Sequence, residues 1–398
     1  MTNPNIKKLV VFFDGTWNSA DQHSRDGKLC PTNITKLFIV TLPHDLQQHE
    51  QIIQYVQGVG AKRFERFIGG VFGYGISDNI KDGYKFLVSN YEDGDEIYIF
   101  GFSRGAYSAR SLAGLIRNVG VLTRDKLYLI DKAYDIYKNK TPEFHPNSEY
   151  SQDFKSKHTW RNERIKFLGV FDTVGALGAP FGIILGWLVN KLFRCTFHDT
   201  RLSSIIENAY HALAIDERRL FFQPTLMTPN TQHDPQHFEQ KWFPGVHSNI
   251  GGGYSNTGLS DLALQWMADK AKQNGLNLDF AKISKPVFEP AFAPDIKEIP
   301  NNSQTIFHRI SSVVFVKLPG YLGWVPEKYK NILADIQWNG DYIRPITNQG
   351  NLAAFLGHPP VNSDISLYEG DLASCVIDKM NECSEEYQPI NLIKSVNG

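Results

Sequence analysis

The sequence predicts an α/β protein in which a mainly parallel sheet is covered by helices on both faces. Two observations support this prediction. First, short apolar runs alternate with segments of helical spacing, which is the order that parallel strands and their crossover helices require. The runs predict strands at residues 9–13, 52–56, 96–100, 165–171 and 241–246, and helical spacing occurs at residues 33–40, 77–91, 104–119, 126–138, 202–215 and 262–274. Second, one apolar run passes through a tight glycine turn directly into a helical segment.

That turn carries a serine at its apex and joins the third predicted strand to the helix after it. A G-x-S-x-G pentapeptide runs from Gly101 to Gly105 with Ser103 at its centre. A strand that reverses straight into a helix leaves room only for very small side chains two positions before and after the apex. Such a nucleophile elbow exposes the serine hydroxyl and directs the first helical N–H groups, including that of Arg104, at a developing oxyanion. The turn therefore suggests acyl transfer, and the alternative is that Ser103 is a helix N-cap.

An activated serine needs a histidine base and a carboxylate that orients it, and the chain supplies both in the order serine, acid, histidine. Asp172 ends the strand at residues 165–171, at the edge of the sheet where functional groups gather. His247 follows the strand at residues 241–246 and precedes three glycines. The alternatives are that Asp172 is only a turn or helix cap and that His247 hydrogen-bonds the backbone of its own loop.

A second glycine turn follows the first strand. Its residues Asp14, Gly15 and Thr16 have backbone N–H groups that could form the other half of an oxyanion hole with Arg104. A structural turn is the alternative interpretation.

The most apolar segment, residues 176–193, opens just after Asp172, and its densest part is far shorter than a membrane span. We expect it to form a lid-like insertion at about residues 176–200 that borders the active site, or else a hairpin in the core. The expected lipid-facing side chains are Phe181, Ile184, Leu185, Trp187 and Leu188.

Composition excludes several other classes of function. Lys and Arg number 41 against 42 Asp and Glu, so no excess positive charge is available for a nucleic acid backbone. No secretory signal is visible at the N-terminus, and no H-E-x-x-H or P-loop motif occurs, so we expect no metal. The proline-rich stretch at residues 285–300 predicts a boundary between a catalytic domain, 1–284, and a C-terminal extension packed on it, 285–398.

Four ordered blocks carry a resemblance to a known family. They are residues 11–18, 101–106, 169–175 and 242–254, with shorter matches at 198–202, 208–218 and 259–261. Together they resemble a bacterial family of α/β-hydrolase-like domains that includes the phospholipase effectors of type VI secretion systems.

The resemblance implies a serine esterase acting on phospholipid acyl chains, with Ser103 as nucleophile, Asp172 as triad acid and His247 as general base, and no cofactor. It also implies synthesis in the cytoplasm without a signal peptide, delivery to the periplasm of a target cell by a needle-tip or tube protein, and a cognate immunity protein. The expected surface partner is a phospholipid membrane. Two alternatives stay open: a cytoplasmic esterase for small soluble esters, and a non-catalytic binding module that keeps the fold.

Overall fold

A computed structural model describes residues 6–16, 18–24, 27–59, 72–161, 163–175, 201–219, 222–229, 237–286 and 288–303, and residues 373, 374, 379 and 389. Among these residues, no helix combines the length and the apolar character that crossing a membrane requires.

Six parallel strands form one sheet in the order β2-β1-β3-β4-β5-β6. Their bounds are β1 Lys8–Phe13, β2 Gln51–Val56, β3 Glu96–Phe102, β4 Ile165–Phe171, β5 Ile206–Ala214 and β6 His237–Phe243. The parallel α/β class is therefore confirmed. The chain moves from β1 to β2 on one side and then returns to β3 on the other, so the strand order reverses around β1. In open parallel sheets, functional groups gather at the carboxyl ends of the strands beside such a reversal.

Strand β5 corrects the sequence analysis, which predicts a helix at residues 202–215. The segment Ile206–Ala214 instead pairs in register with β4 and β6, from Ile206 beside Ile165 to Ala214 beside Phe243. Its alanines favour a helix locally. Hydrogen bonding to strands on both sides and nearly complete burial outweigh that preference. Strand β6 also begins and ends earlier than the predicted run at residues 241–246.

Seven α-helices accompany the sheet in the described ranges: α1 Asn33–Val40, α2 Phe72–Asn90, α3 Arg104–Val119, α4 Ile130–Lys138, α5 Glu149–His158, α6 His247–Gly251 and α7 Gly258–Gln273. Helices α1 and α3 are confirmed with the predicted bounds, and α2, α4 and α7 are confirmed with shifted ends. The predicted helix at residues 126–138 begins as a 3₁₀ segment, Arg124–Leu129, before α4. Helix α5 is not predicted, because few apolar residues mark it. Its best signal is Ser148, whose Oγ caps the helix by accepting the Ser151 N–H at 3.2 Å.

Alternate side chains of the strands enter two cores on opposite faces of the sheet. Leu9, Val11 and Phe13 of β1 pack with α2, α3 and α4. Val10 and Phe12 pack on the other face with α1 and α7, where the Phe12 ring stacks on Phe100 with a centroid separation of 5.1 Å. Helices therefore cover both faces, and the loops at the carboxyl edge of the sheet are left to form a site.

Several residues after the predicted boundary at residue 285 contact the sheet and its helices. The Ala293 N–H donates to Asp261 Oδ2 at 2.9 Å, and the Asn301 N–H donates to Asn249 Oδ1 at 3.0 Å. Farther along, the Ala373 N–H donates to Trp242 O of β6 at 2.9 Å. Most of the predicted extension lies outside the described residues, so the domain division stays a prediction.

A buried ion pair joins α1 to α7. Lys36 Nζ lies 2.5 Å from Asp261 Oδ1, and both side chains are fully buried. The other Asp261 oxygen accepts the Thr257 hydroxyl at 3.0 Å. Burial lowers the pKa of Lys36, and the Asp261 carboxylate opposes that effect. The lysine charge is therefore tolerated here only because of its partner.

We expect Lys36→Met to lower the free energy of unfolding by about 3–5 kcal/mol, because it leaves the Asp261 carboxylate buried without its cation. Urea unfolding measures the change. The matched control is Lys81→Met, which removes a solvent-exposed pair with Asp131 at 3.2 Å and costs about 1 kcal/mol or less. Equal effects of the two substitutions would contradict the assignment.

Candidate active site

The tight turn that the G-x-S-x-G pattern predicts is present, and its backbone is strained at Ser103. Ser103 has φ 58° and ψ −122°, a conformation that non-glycine residues rarely adopt. A side chain on Gly101 would lie 2.6 Å from Ala106 Cα, and one on Gly105 would overlap the carbonyl oxygens of Phe13 and Asp14. The two glycines therefore let α3 start directly against the ends of β3 and β1.

The Ser103 hydroxyl makes no cap to α3, although Ser103 occupies the N-cap position. Its Oγ lies instead 2.8 Å from His247 Nε2, and His247 Nδ1 lies 2.6 Å from Asp172 Oδ2. Because a carboxylate only accepts, Nδ1 carries the imidazole proton and Nε2 accepts the serine hydroxyl. The three side chains form one continuous chain of hydrogen bonds.

The three hydrogen-bonded side chains are almost completely buried. Ser103 is 7 % exposed, His247 4 % and Asp172 0 %. Burial lowers the pKa of His247 below its ordinary value, and the hydrogen bond and charge of Asp172 oppose that effect. At neutral pH the imidazole is therefore uncharged, which is the form that can accept a proton from a serine.

The end of β5 holds the Asp172 carboxylate by a hydrogen bond. The Ala214 N–H donates to Asp172 Oδ1 at 3.1 Å, so each carboxylate oxygen has a partner. Asp172 has φ 35°, and the next residue, Thr173, donates its N–H to His211 Nε2 at 3.2 Å. His211 in turn contacts Gln240 Oε1 through Nδ1 at 2.8 Å. His211 is thus a buried support of the strained turn that carries Asp172.

Two aromatic rings contact the His247 imidazole. Phe102, one residue before the serine, lies with its centroid 4.7 Å away, and Phe222 lies edge-on at 4.9 Å. The backbone N–H of His247 donates to Glu217 Oε2 at 3.1 Å. The position of the imidazole is therefore set by contacts at both its ring and its backbone.

The glycine turn after β1 lies beside the same site. A side chain on Gly15 would approach the Phe102 ring to 2.9 Å. The Asp14 N–H donates to Val56 O at 3.0 Å, and the Gly15 N–H donates to Asp14 Oδ1 at 2.7 Å. For the Thr16 N–H the described residues provide no acceptor, and the Thr16 hydroxyl is buried without a partner among them.

The Asp14 carboxylate is itself a buried centre of hydrogen bonding. Its Oδ2 accepts the Thr32 hydroxyl at 2.8 Å and the Tyr55 hydroxyl at 2.5 Å, and Thr35 lies 3.2 Å away. Burial raises the pKa of Asp14, and these donors oppose that effect. The side chain thus faces α1 and β2, and it fixes the shape of the turn.

The structure thus brings together the three residues that the sequence selects for chemistry and sets the turn at residues 14–16 beside them. Burial lowers the pKa of Arg104, at the start of α3, to about 10. The five expected lipid-facing residues, Phe181, Ile184, Leu185, Trp187 and Leu188, lie outside the described residues.

Sequence reasoning missed four neighbours of the site: His211, Gln240, Glu217 and Phe222. The available signal was the charged run of residues 216–219 directly after an apolar segment. Its meaning depends on β5 being a strand, because only a strand delivers those residues to the carboxyl edge of the sheet.

A parallel sheet with a strained serine turn after β3, an aspartate after β4 and a histidine after β6 defines an α/β-hydrolase-like protein. A family model described as "T6SS, Phospholipase effector Tle1-like, catalytic domain" matches residues 7–270. The chain therefore belongs to this family, as its sequence motifs predict.

Individual proteins are also similar to this chain. An uncharacterized protein of Saccharomyces cerevisiae, YEL023C, is 32 % identical over 244 residues, which cover 56 % of this chain and 33 % of that protein. The chain thus spans about a third of the length of this curated relative. An uncharacterized protein from Pseudomonas aeruginosa aligns at TM-score 0.46 and 16 % identity, covering 98 % of this chain and 66 % of the other. The Tle1 effector bound to the VgrG spike of the type 6 secretion system aligns at TM-score 0.33 and 20 % identity, covering 63 % and 52 %.

We expect Ser103→Gly to be more stable than Ser103→Ala by about 1 kcal/mol, because glycine adopts φ 58° without strain and the alanine variant keeps the strain. Urea unfolding compares the two variants. The matched control is Ser108 in the interior of α3, where alanine should be more stable than glycine by about 1 kcal/mol. The same order at both positions would contradict a strained Ser103.

Proposed function

We propose that this protein is a serine esterase that hydrolyses acyl ester bonds of membrane phospholipids with Ser103 as nucleophile, His247 as general base and Asp172 as the orienting acid. The observation that carries the proposal is the buried chain of hydrogen bonds from Ser103 Oγ through His247 to Asp172, with lengths of 2.8 and 2.6 Å. Membership of the phospholipase effector family supports the choice of substrate.

In the acylation step, Ser103 Oγ attacks the ester carbonyl carbon while His247 Nε2 takes the hydroxyl proton. The tetrahedral intermediate collapses when the carbon–oxygen bond to the leaving alcohol breaks, and His247 returns the proton to that oxygen. Water then attacks the acyl-serine by the same route, giving a fatty acid and free Ser103. Asp172 stays ionised and stabilises the imidazolium during both steps.

The oxyanion needs at least two donors close to the serine. We assign one to the backbone N–H of Arg104, the first residue of α3, where the positive end of the helix dipole adds stabilisation. We assign the other donor to the backbone N–H of Thr16 in the turn at residues 14–16, because the N–H groups of Asp14 and Gly15 already donate to other acceptors within the protein. Preorganised donors of this kind are worth about 10²–10³-fold in rate each.

Membership of the family also supports a proposal for how the protein reaches its substrate. We propose that the protein is secreted by a type VI system into the periplasm of a target cell, carried by a needle-tip or tube protein, and that a cognate immunity protein protects the producer. We propose that the lid-like insertion at about residues 176–200, which lies outside the described residues, faces the membrane.

The proposal predicts fatty acid release from phospholipid vesicles by the wild-type protein. Ser103→Ala and Asp172→Asn should lower kcat by about 10⁴-fold or more, since each breaks the catalytic unit. The matched control is Ser108→Ala, which removes another buried serine of the same segment and should keep its activity.

A soluble short-chain ester is assayed in parallel. Turnover of that ester without release from vesicles would replace the phospholipid assignment with a soluble esterase. Equal rates for Ser103→Ala and wild type, or no turnover of either substrate, would overturn the proposal.

A further inference from the structure

A second buried carboxylate, outside the Ser103–His247–Asp172 chain, holds the loop that carries His247. Glu217 follows β5 and is fully buried. Its Oε2 accepts the His247 N–H at 3.1 Å, and its Oε1 accepts the Ser303 hydroxyl at 3.0 Å. The guanidinium of Arg219 binds it with both arms, from Nε and Nη2, each at 2.9 Å. We propose that Glu217 and Arg219 together are the positioning pair of His247. They fix the position of its backbone and imidazole ring, and they set the net charge beside that ring; this inference rests on the proposed function.

The backbone contacts explain the placement. His247 is the first residue of the short helix α6, where an N–H has no acceptor within the helix. Glu217 supplies that acceptor. One residue earlier, Asp216 holds Gly245 from both sides: its N–H donates to Gly245 O at 3.0 Å and its Oδ2 accepts the Gly245 N–H at 2.7 Å. Two consecutive acidic residues thus fix the start of the His247 loop against the end of β5.

The side-chain contacts carry the same effect to the imidazole ring. The Arg219 guanidinium lies 3.5 Å from the centroid of the Phe222 ring, and the Phe222 ring lies edge-on to the imidazole. Arg219 is therefore fixed by Glu217 and in turn packs on a ring that contacts His247. A guanidinium stacks well on aromatic rings because it is planar and weakly hydrated.

The pair also balances charge beside the base. The charged groups that act on His247 are Asp172 after β4 and Glu217 and Arg219 after β5. Burial has the largest effect on the pKa of His247 and lowers it; Asp172 and Glu217 raise that pKa, whereas Arg219 lowers it. The same pair acts on Tyr254: burial raises the pKa of this tyrosine, Arg219 lowers it and Glu217 raises it. Because Glu217 and Arg219 form a bidentate pair, their opposing effects on an imidazolium largely cancel.

The test uses two single variants: Glu217→Gln keeps the shape of the side chain and removes its charge, whereas Arg219→Gln removes the guanidinium and its charge and leaves a polar side chain. In Glu217→Gln the cation of Arg219 stays without its carboxylate, so the pKa of His247 should fall by about one unit. In Arg219→Gln the carboxylate stays, so the pKa should rise by a similar amount. NMR titration of the His247 imidazole, assigned by its loss in His247→Gln, reads both shifts. It needs no substrate, so it is informative even if the proposed function fails.

Kinetics with the short-chain ester test the placement. We expect Glu217→Gln to lower kcat by about 10-fold or more with KM nearly unchanged, because a small displacement of the base is costly in rate. In the double variant with Arg219→Gln, the pKa should return towards the wild-type value while kcat stays low. The matched control is Glu207→Gln, at the opposite end of β5, where Glu207 pairs with Lys166 at 2.9 Å and is partly exposed.

Opposite pKa shifts in the two single variants support the inference. Shifts in the same direction, no shift in either, or wild-type kcat in Glu217→Gln would overturn it. A merely structural role would lower the melting temperature of both variants without moving the titration. An inactive wild-type protein would contradict the proposed function, and the titration would still decide the inference.

Discussion

The hydrogen bond between Asp172 and His247 is the contact on which the rest of the site depends. The two residues lie at the ends of β4 and β6, so the bond has to pass over the end of β5, the strand between them. Residues at the end of β5 meet that requirement because they hydrogen-bond both neighbours. Ala214 donates its N–H to Asp172, and the two residues after Ile215 hold the loop of His247. A buried imidazole between a carboxylate and a serine is stable only when all its polar neighbours are fixed in this way.

On the other side of the serine, close approach of backbones replaces side-chain contacts. The absence of side chains at Gly101 and Gly105 lets the first turn of α3 lie against the carbonyl groups at the end of β1. The adjoining turn is held by the buried Asp14 carboxylate, which gathers hydroxyl groups from α1 and β2. Two of the three non-glycine residues with positive φ in the described ranges, Ser103 and Asp172, belong to the hydrogen-bonded set, and strained backbone commonly occurs at functional sites.

Local patterns were sufficient to predict the class of fold and to select the three residues that the structure joins by hydrogen bonds. Ser103 lies between two glycines in a turn from an apolar run into a helical segment, and Asp172 and His247 each follow an apolar run at the edge where a parallel sheet gathers its functional groups. The helix predicted at residues 202–215 is wrong because an alanine-rich segment has helical preference, and only pairing with β4 and β6 makes it a strand.

That single error had further effects. With β5 as a helix, His211 has no reason to lie under Asp172, and the charged residues Glu217 and Arg219 have no reason to reach His247. Their roles arise from contacts between distant parts of the chain, such as Ser303 with Glu217, which no local pattern contains. The turn at residues 14–16 is an intermediate case: the sequence selects these residues, but the hydrogen bonds of Asp14 and Gly15 are visible only in three dimensions.

We propose that burial and hydrogen bonding together make Ser103 a nucleophile. The most direct test of this proposal is reaction of the purified protein with a fluorophosphonate, followed by intact mass and peptide mapping. We expect one covalent adduct, on the peptide that contains Ser103, formed in the wild-type protein and lost in His247→Gln. Absence of an adduct in the folded wild-type protein, or an adduct on a different serine, would contradict it.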